Sequence, residues 1–150
     1  MNLKFLCANH RQWLTSDTQR SERYWLDWME QGCALFDSGK YGEAAPYFGC
    51  AYELADYLLA ESWPSYPVAV SRFTNCVVSL MSAYRQQRET GLCNYLLVGA
   101  SSRLARELQR DRNCQVTADC IEALYRSEPR IPKHYELAGR SGGAQLNTYH

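Results

Sequence analysis

No stretch of the 150 residues comes near eighteen consecutive apolar positions, so nothing in the sequence reads as a membrane span. The opening run Met1-Asn2-Leu3-Lys4-Phe5-Leu6-Cys7 is too short in apolar residues for a secretory signal, and a cytoplasmic protein is the expectation. Net charge is missing as well. Sixteen basic residues meet sixteen acidic ones, which removes the bulk electrostatic case for a nucleic acid or an anionic membrane as partner. There is no C-x-x-C pair, although the seven cysteines are odd in number and cannot all pair internally. Zinc-type sites draw on such close pairs, because their ligands must converge on one ion. The nearest approach is Cys114 and Cys120 with His134, an irregular set that keeps a metal-binding protein only as an alternative. The expectation is therefore free thiols, buried or half-buried, and no metal or cofactor. A Gly-rich phosphate loop, a nucleophile elbow and paired carboxylates in a motif context are all lacking, so the chain is expected not to be an enzyme, with catalysis kept as the second alternative.

What the chain has is the composition of one soluble domain, 46% hydrophobic and 21% charged. At this length folding buries roughly 70% of the surface of the unfolded chain, enough for a core without staples. Charge is distributed unevenly. Residues 17–61 hold nine acidic side chains against Arg20, Arg23 and Lys40, whereas residues 62–150 carry eleven basic and seven acidic ones. Acidic and basic parts of this kind attract, either within one molecule or between two copies, so a homodimer is among the expectations. The arginines at 103, 106, 110 and 112 do not make an RNA-binding stripe, since Glu107 and Asp111 interrupt them.

Apolar spacing predicts an all-α chain. Residues 1–15 fit either a short helix or an extended arm. Ser16 with Gln19 reads as a capping box before a helix over 17–37, which Ser38-Gly39-Lys40 ends. Ala44, Phe48, Ala51 and Ala55 carry a second helix to Glu61, with Pro46 near its start. Trp63-Pro64-Ser65-Tyr66-Pro67 breaks the chain. A third helix is expected from Val68 to about Glu89, with Gly91 marking the turn, and a fourth over 92–110 with Arg103, Arg106, Glu107 and Arg110 on its wet side. The expected domain is 1–127, with hairpins at 17–61 and 68–110 and a capping helix at 115–127. Residues 128–150 follow as a flexible or docked tail.

The first helix pair carries Trp28, Gly32, Leu35, Gly39, Tyr41, Ala44, Phe48 and Ala51. In this it resembles a tetratricopeptide repeat, in which small residues let two helices approach and large ones fill the remaining gap. Gly32 and Ala44 would then be the points of approach, and Trp28 and Phe48 the fillers. Gln31, Leu35 and Asp56 depart from the family pattern. The second pair is similar only in outline, with Cys93, Leu97 and Ala100 standing for Ala44, Phe48 and Ala51 after an offset of 49 residues rather than the family's 34.

The resemblance implies a short solenoid of stacked antiparallel hairpins with a C-terminal cap. It also implies use as a protein-interaction module or adaptor, the first helix of each pair lining a groove for a partner peptide or amphipathic helix. That groove would comprise Leu26, Met29, Cys33, Phe36 and Asp37 from the first pair. From the second it would take Asn75, Val78, Ser82, Arg85 and Gln86, with Arg72 or Arg85 meeting an acidic flank. Met29, Cys33 and Phe36 disfavour a clamp for a terminal carboxylate. A secretion-type chaperone holding an unfolded client is the related alternative.

Overall fold

The computed structural model describes residues 3–126, which form six helices and no strand. They are α1 (Ala8–Thr15), α2 (Thr18–Asp37), α3 (Tyr41–Glu61), α4 (Tyr66–Gln86), α5 (Thr90–Arg110) and α6 (Gln115–Tyr125). The expected all-helical class holds for these residues. The expected tail, 128–150, and His134 lie outside them. No helix among the described residues is long and apolar enough to cross a membrane.

The helix boundaries correct several local expectations. Asp17, not Ser16, caps α2, its carboxylate accepting from the backbone N–H groups of Gln19 and Arg20; Ser16 instead donates to the Trp13 carbonyl. Asp17 wins because its carboxylate, an acceptor only, sits one residue closer to the orphan donors of the first turn. The N-terminal segment is both things at once, an extended arm to Cys7 and then a short helix. Helix α4 starts at Tyr66, with Pro67 inside its first turn where no N–H is needed, so the break is confined to residues 62–65.

Helices α2, α3 and α4 all end in one motif. The N–H of Lys40, Trp63 and Glu89 reaches back five residues, to the carbonyls of Leu35, Leu58 and Tyr84. Each motif needs a left-handed residue just before, and those are Gly39 at φ +78°, Ser62 at +51° and Arg88 at +61°. Glycine was expected to mark the turn after α4 at Gly91. The turn is made by Arg88, and Gly91 is already helical.

Helices α2 and α3, joined by three residues, run antiparallel. A Cβ on Gly32 would lie 2.5 Å from the Phe48 ring, so the glycine leaves room for that ring within the hairpin. Helix α4 sits at the centre, packed on α3, α5 and α6, and almost every side chain from Ala69 to Tyr84 is buried. It also meets α2 directly. The Trp25 indole donates to the Cys76 sulfur at 2.7 Å, and that sulfur lies 3.6 Å from the Met29 sulfur. Burial pushes the Cys76 thiol far up from its usual range, only partly opposed by the Trp25 hydrogen bond and the nearby Arg72 charge.

Both ends of this arrangement are covered. At one end the arm and α1 lie against α3 and α2, with Leu6 and Leu14 buried; at the other, α6 lies against α4 and α5 through Cys120 and Leu124. Acidic and basic parts meet within the molecule, in the pairs Arg72–Glu22 at 2.7 Å and Arg103–Asp56 at 3.2 Å. Glu107, expected on the wet side of α5, is buried. Arg103 and Arg110 flank it and neutralise it.

Candidate functional site

Helix α3 places Tyr52, Glu53 and Asp56 within a little more than one turn. Helix α5 places Gly99, Arg103 and Arg106 on successive turns of one face. The arm and α1 bring Lys4 and Arg11 over them. Together these four elements enclose an open cleft of about 680 Å³. A second hollow of about 270 Å³ adjoins it, sharing Leu3, Tyr52 and Gly99 and adding Tyr95, Leu96 and Val98. The first volume falls within the roughly 300–1,000 Å³ of ordinary ligand sites.

The arm is fixed by one carboxylate. Glu53 accepts the backbone N–H of Phe5 and of Leu6, the latter at 3.0 Å, while its other oxygen takes Arg11 at 2.7 Å. The Phe5 ring lies against Gly49, where a Cβ would come within 2.5 Å of it. Asp56 holds the Arg103 Nε, and Arg103 also donates to Glu107. Burial alone would lower the Arg103 pKa, but its bonds to Glu107 and the charge of Asp56 hold it above the usual range. Both carboxylates of the cleft are thus already engaged.

The other cations are not. Lys4 and Arg106 are exposed and have no ion-pair partner among the described residues. Tyr52 is half-buried, its ring 5.6 Å from Phe73, and burial followed by the Asp56 charge pushes its hydroxyl up to about 12. It therefore remains a neutral hydrogen-bonding group throughout the physiological range. Burial and the nearby Glu53 charge raise the neighbouring Cys50 thiol to about 11, so it is not a nucleophile at neutral pH.

The groove residues expected from the sequence fall elsewhere. Met29, Cys33, Arg72, Val78 and Ser82 are buried; Phe36, Asn75 and Arg85 are half-buried; Leu26, Asp37 and Gln86 are exposed. Met29 is in contact with Cys76 of α4, and Arg72 lies 4.9 Å over the Trp25 ring while pairing with Glu22. Of the expected packing residues, Gly32, Ala44, Phe48 and Ala51 are buried, and Tyr41 lies against Phe36 at 4.9 Å. Leu35 is half-buried and Gly39 is exposed. Trp28 turns to α1 instead, 6.3 Å from the His10 ring and 5.4 Å from Tyr24, and Trp25 is the buried tryptophan.

The cleft residues were not singled out by spacing. One signal was present: Gly99 stands in the interior of α5 with a negative φ and nothing within 4 Å of a Cβ built on it. Neither conformation nor packing calls for glycine there. Among the described residues no group of three His, Cys, Asp or Glu side chains could hold a metal ion, and Cys114 and Cys120 are free thiols. Compared with protein-family models, curated proteins and solved structures, the chain matches none.

Proposed function

We propose that this chain is a non-catalytic protein-interaction module, an adaptor that takes a segment of a partner protein. The segment would lie in the cleft between the arm, α3 and α5. The scaffold is read as a short tetratricopeptide-like stack, with α2–α3 and α4–α5 as its two units and α6 as its cap. The contact of Gly32 with Phe48 and the central place of α4 support that reading. The observation that carries the functional reading is the pair Lys4 and Arg106, two cations that line the cleft without a carboxylate partner among the described residues while its other charges are matched. The ligand site is placed here rather than along α2 and α4 because Met29 and Cys33 have no surface to offer.

Selection of a displayed random peptide library on the immobilised full chain tests this. Peptides should be enriched that lose binding to Arg106→Glu, while circular dichroism shows that variant still folded. Enrichment of nothing beyond a bare-support control, or of peptides indifferent to Arg106→Glu, overturns the reading.

A further inference from the structure

The cleft has two compartments of different chemistry. In the larger one, Glu53 is held by two backbone N–H groups and Arg11, and Asp56 accepts from Arg103 at 3.2 Å. Lys4 on the arm and Arg106 on α5 remain, so the compartment carries two positive charges with no internal counter-charge among the described residues. The smaller compartment is apolar, and part of it is left open to water: Tyr95 is 44% exposed and Val98 65%. Leu3, Tyr52 and Gly99 line both, so the two hollows adjoin. Gly99 stands at their junction. Glycine in a helix interior lowers stability relative to alanine, and here no close neighbour requires it. What its missing side chain preserves is the passage between the compartments.

We infer that the cleft takes a bipartite segment, a bulky apolar side chain in the Tyr95–Val98 hollow next to two acidic groups that meet Lys4 and Arg106. This rests on the peptide-binding reading above and gives its ligand a chemistry. The dianionic part matches the two cations that have no ion-pair partner among the described residues, and charge-assisted hydrogen bonds from arginine to carboxylate are the stronger kind. The apolar part covers surface that this chain leaves in water. The Tyr52 hydroxyl, kept protonated, stands between the two parts as a hydrogen-bonding group.

Fluorescein-labelled nonapeptides provide the test: GSDDLFSGS and the reversed order GSFLDDSGS, each compared by anisotropy with a version carrying NN for DD and one carrying SS for the apolar pair. The tighter of the two orders should bind the full chain, and either replacement should weaken it by about tenfold or more. Gly99→Trp, built on a position where a Cβ has nothing within 4 Å, and Arg106→Glu should each cause a similar loss with unchanged thermal unfolding. Equal binding of the NN peptide, or undiminished binding to Gly99→Trp, overturns the inference. The library selection separates this failure from that of the broader reading. Neutral or basic peptides excluded by Gly99→Trp would overturn the bipartite chemistry alone, whereas absence of any enriched peptide would remove both.

Discussion

The Glu53 carboxylate of α3 accepts the backbone N–H of Leu6 at 3.0 Å, across 47 positions of sequence. The same group takes the N–H of Phe5 and the Arg11 guanidinium, so one side chain fastens the whole arm. Glu53→Ala would strand the Leu6 donor in a buried position and leave Arg11 unpaired. The expected loss is about 2–4 kcal/mol in urea unfolding, from the cost of unsatisfied buried donors and a broken charged hydrogen bond. Hydrogen exchange at the Phe5 and Leu6 amides should accelerate in the same variant. Unchanged protection there would show that something other than Glu53 holds the arm.

Gly32 and Phe48 form a fitted pair. Gly32→Ala drives a methyl into the ring and should destabilise by about 1–3 kcal/mol, the usual range for overpacking. Trimming the ring makes room, so Gly32→Ala combined with Phe48→Leu should cost less than the two single changes added together, by at least about 0.5 kcal/mol. A double-mutant cycle by chemical denaturation measures this. Strict additivity would mean the two residues do not constrain one another.

The shared helix ending makes opposite forecasts at its three copies. Gly39→Ala forces a side chain into the left-handed region and should cost about 1–2 kcal/mol. Ser62→Gly and Arg88→Gly relieve the same strain, offset by the extra freedom glycine has when unfolded, and each should gain about 0.5–1 kcal/mol. Melting temperatures of the three variants should therefore move in opposite directions, down for the first and up for the other two.

Stability should decline on the alkaline side. Cys50 stays protonated to about pH 11 when folded but only to about 9 when unfolded, for burial and then Glu53 disfavour its thiolate. The folded state therefore holds that proton more tightly. Its contribution is complete below pH 9 and is lost as pH rises toward 11. Tyr52 repeats the pattern between pH 10 and about 12. Urea titrations from pH 8 to 11.5 should show stability falling, with Cys50→Ala flattening the first part of the fall and Tyr52→Phe the later part. A slope unchanged in both variants would place the pH dependence on other groups.

The long helices were legible because each carries a continuous apolar stripe, as in Ala44, Phe48, Ala51 and Ala55 of α3, all buried. The Gly39 ending was legible for the same local reason. The ending at Arg88 was not, because the left-handed residue there is an arginine, which composition does not announce as a helix stop. The resemblance put Met29 and Cys33 in an open groove, yet a repeat pattern does not say which neighbour covers a side, and for Met29 it is Cys76. Glu107 was misplaced because its arginines lie on the same face, and a charge with two partners can be buried. The cleft was invisible for a stronger reason. Lys4, Glu53 and Arg103 stand some fifty residues apart in sequence and share no motif; only the packing of the arm and α5 beside α3 brings them together.

Because Leu3 is itself part of the wall of the cleft, whatever is joined upstream of it starts at the opening. An affinity handle joined a few residues upstream of Leu3 would be tethered beside the cleft as a competing peptide at high local concentration. A binding assay performed with an amino-terminal fusion would therefore under-report affinity.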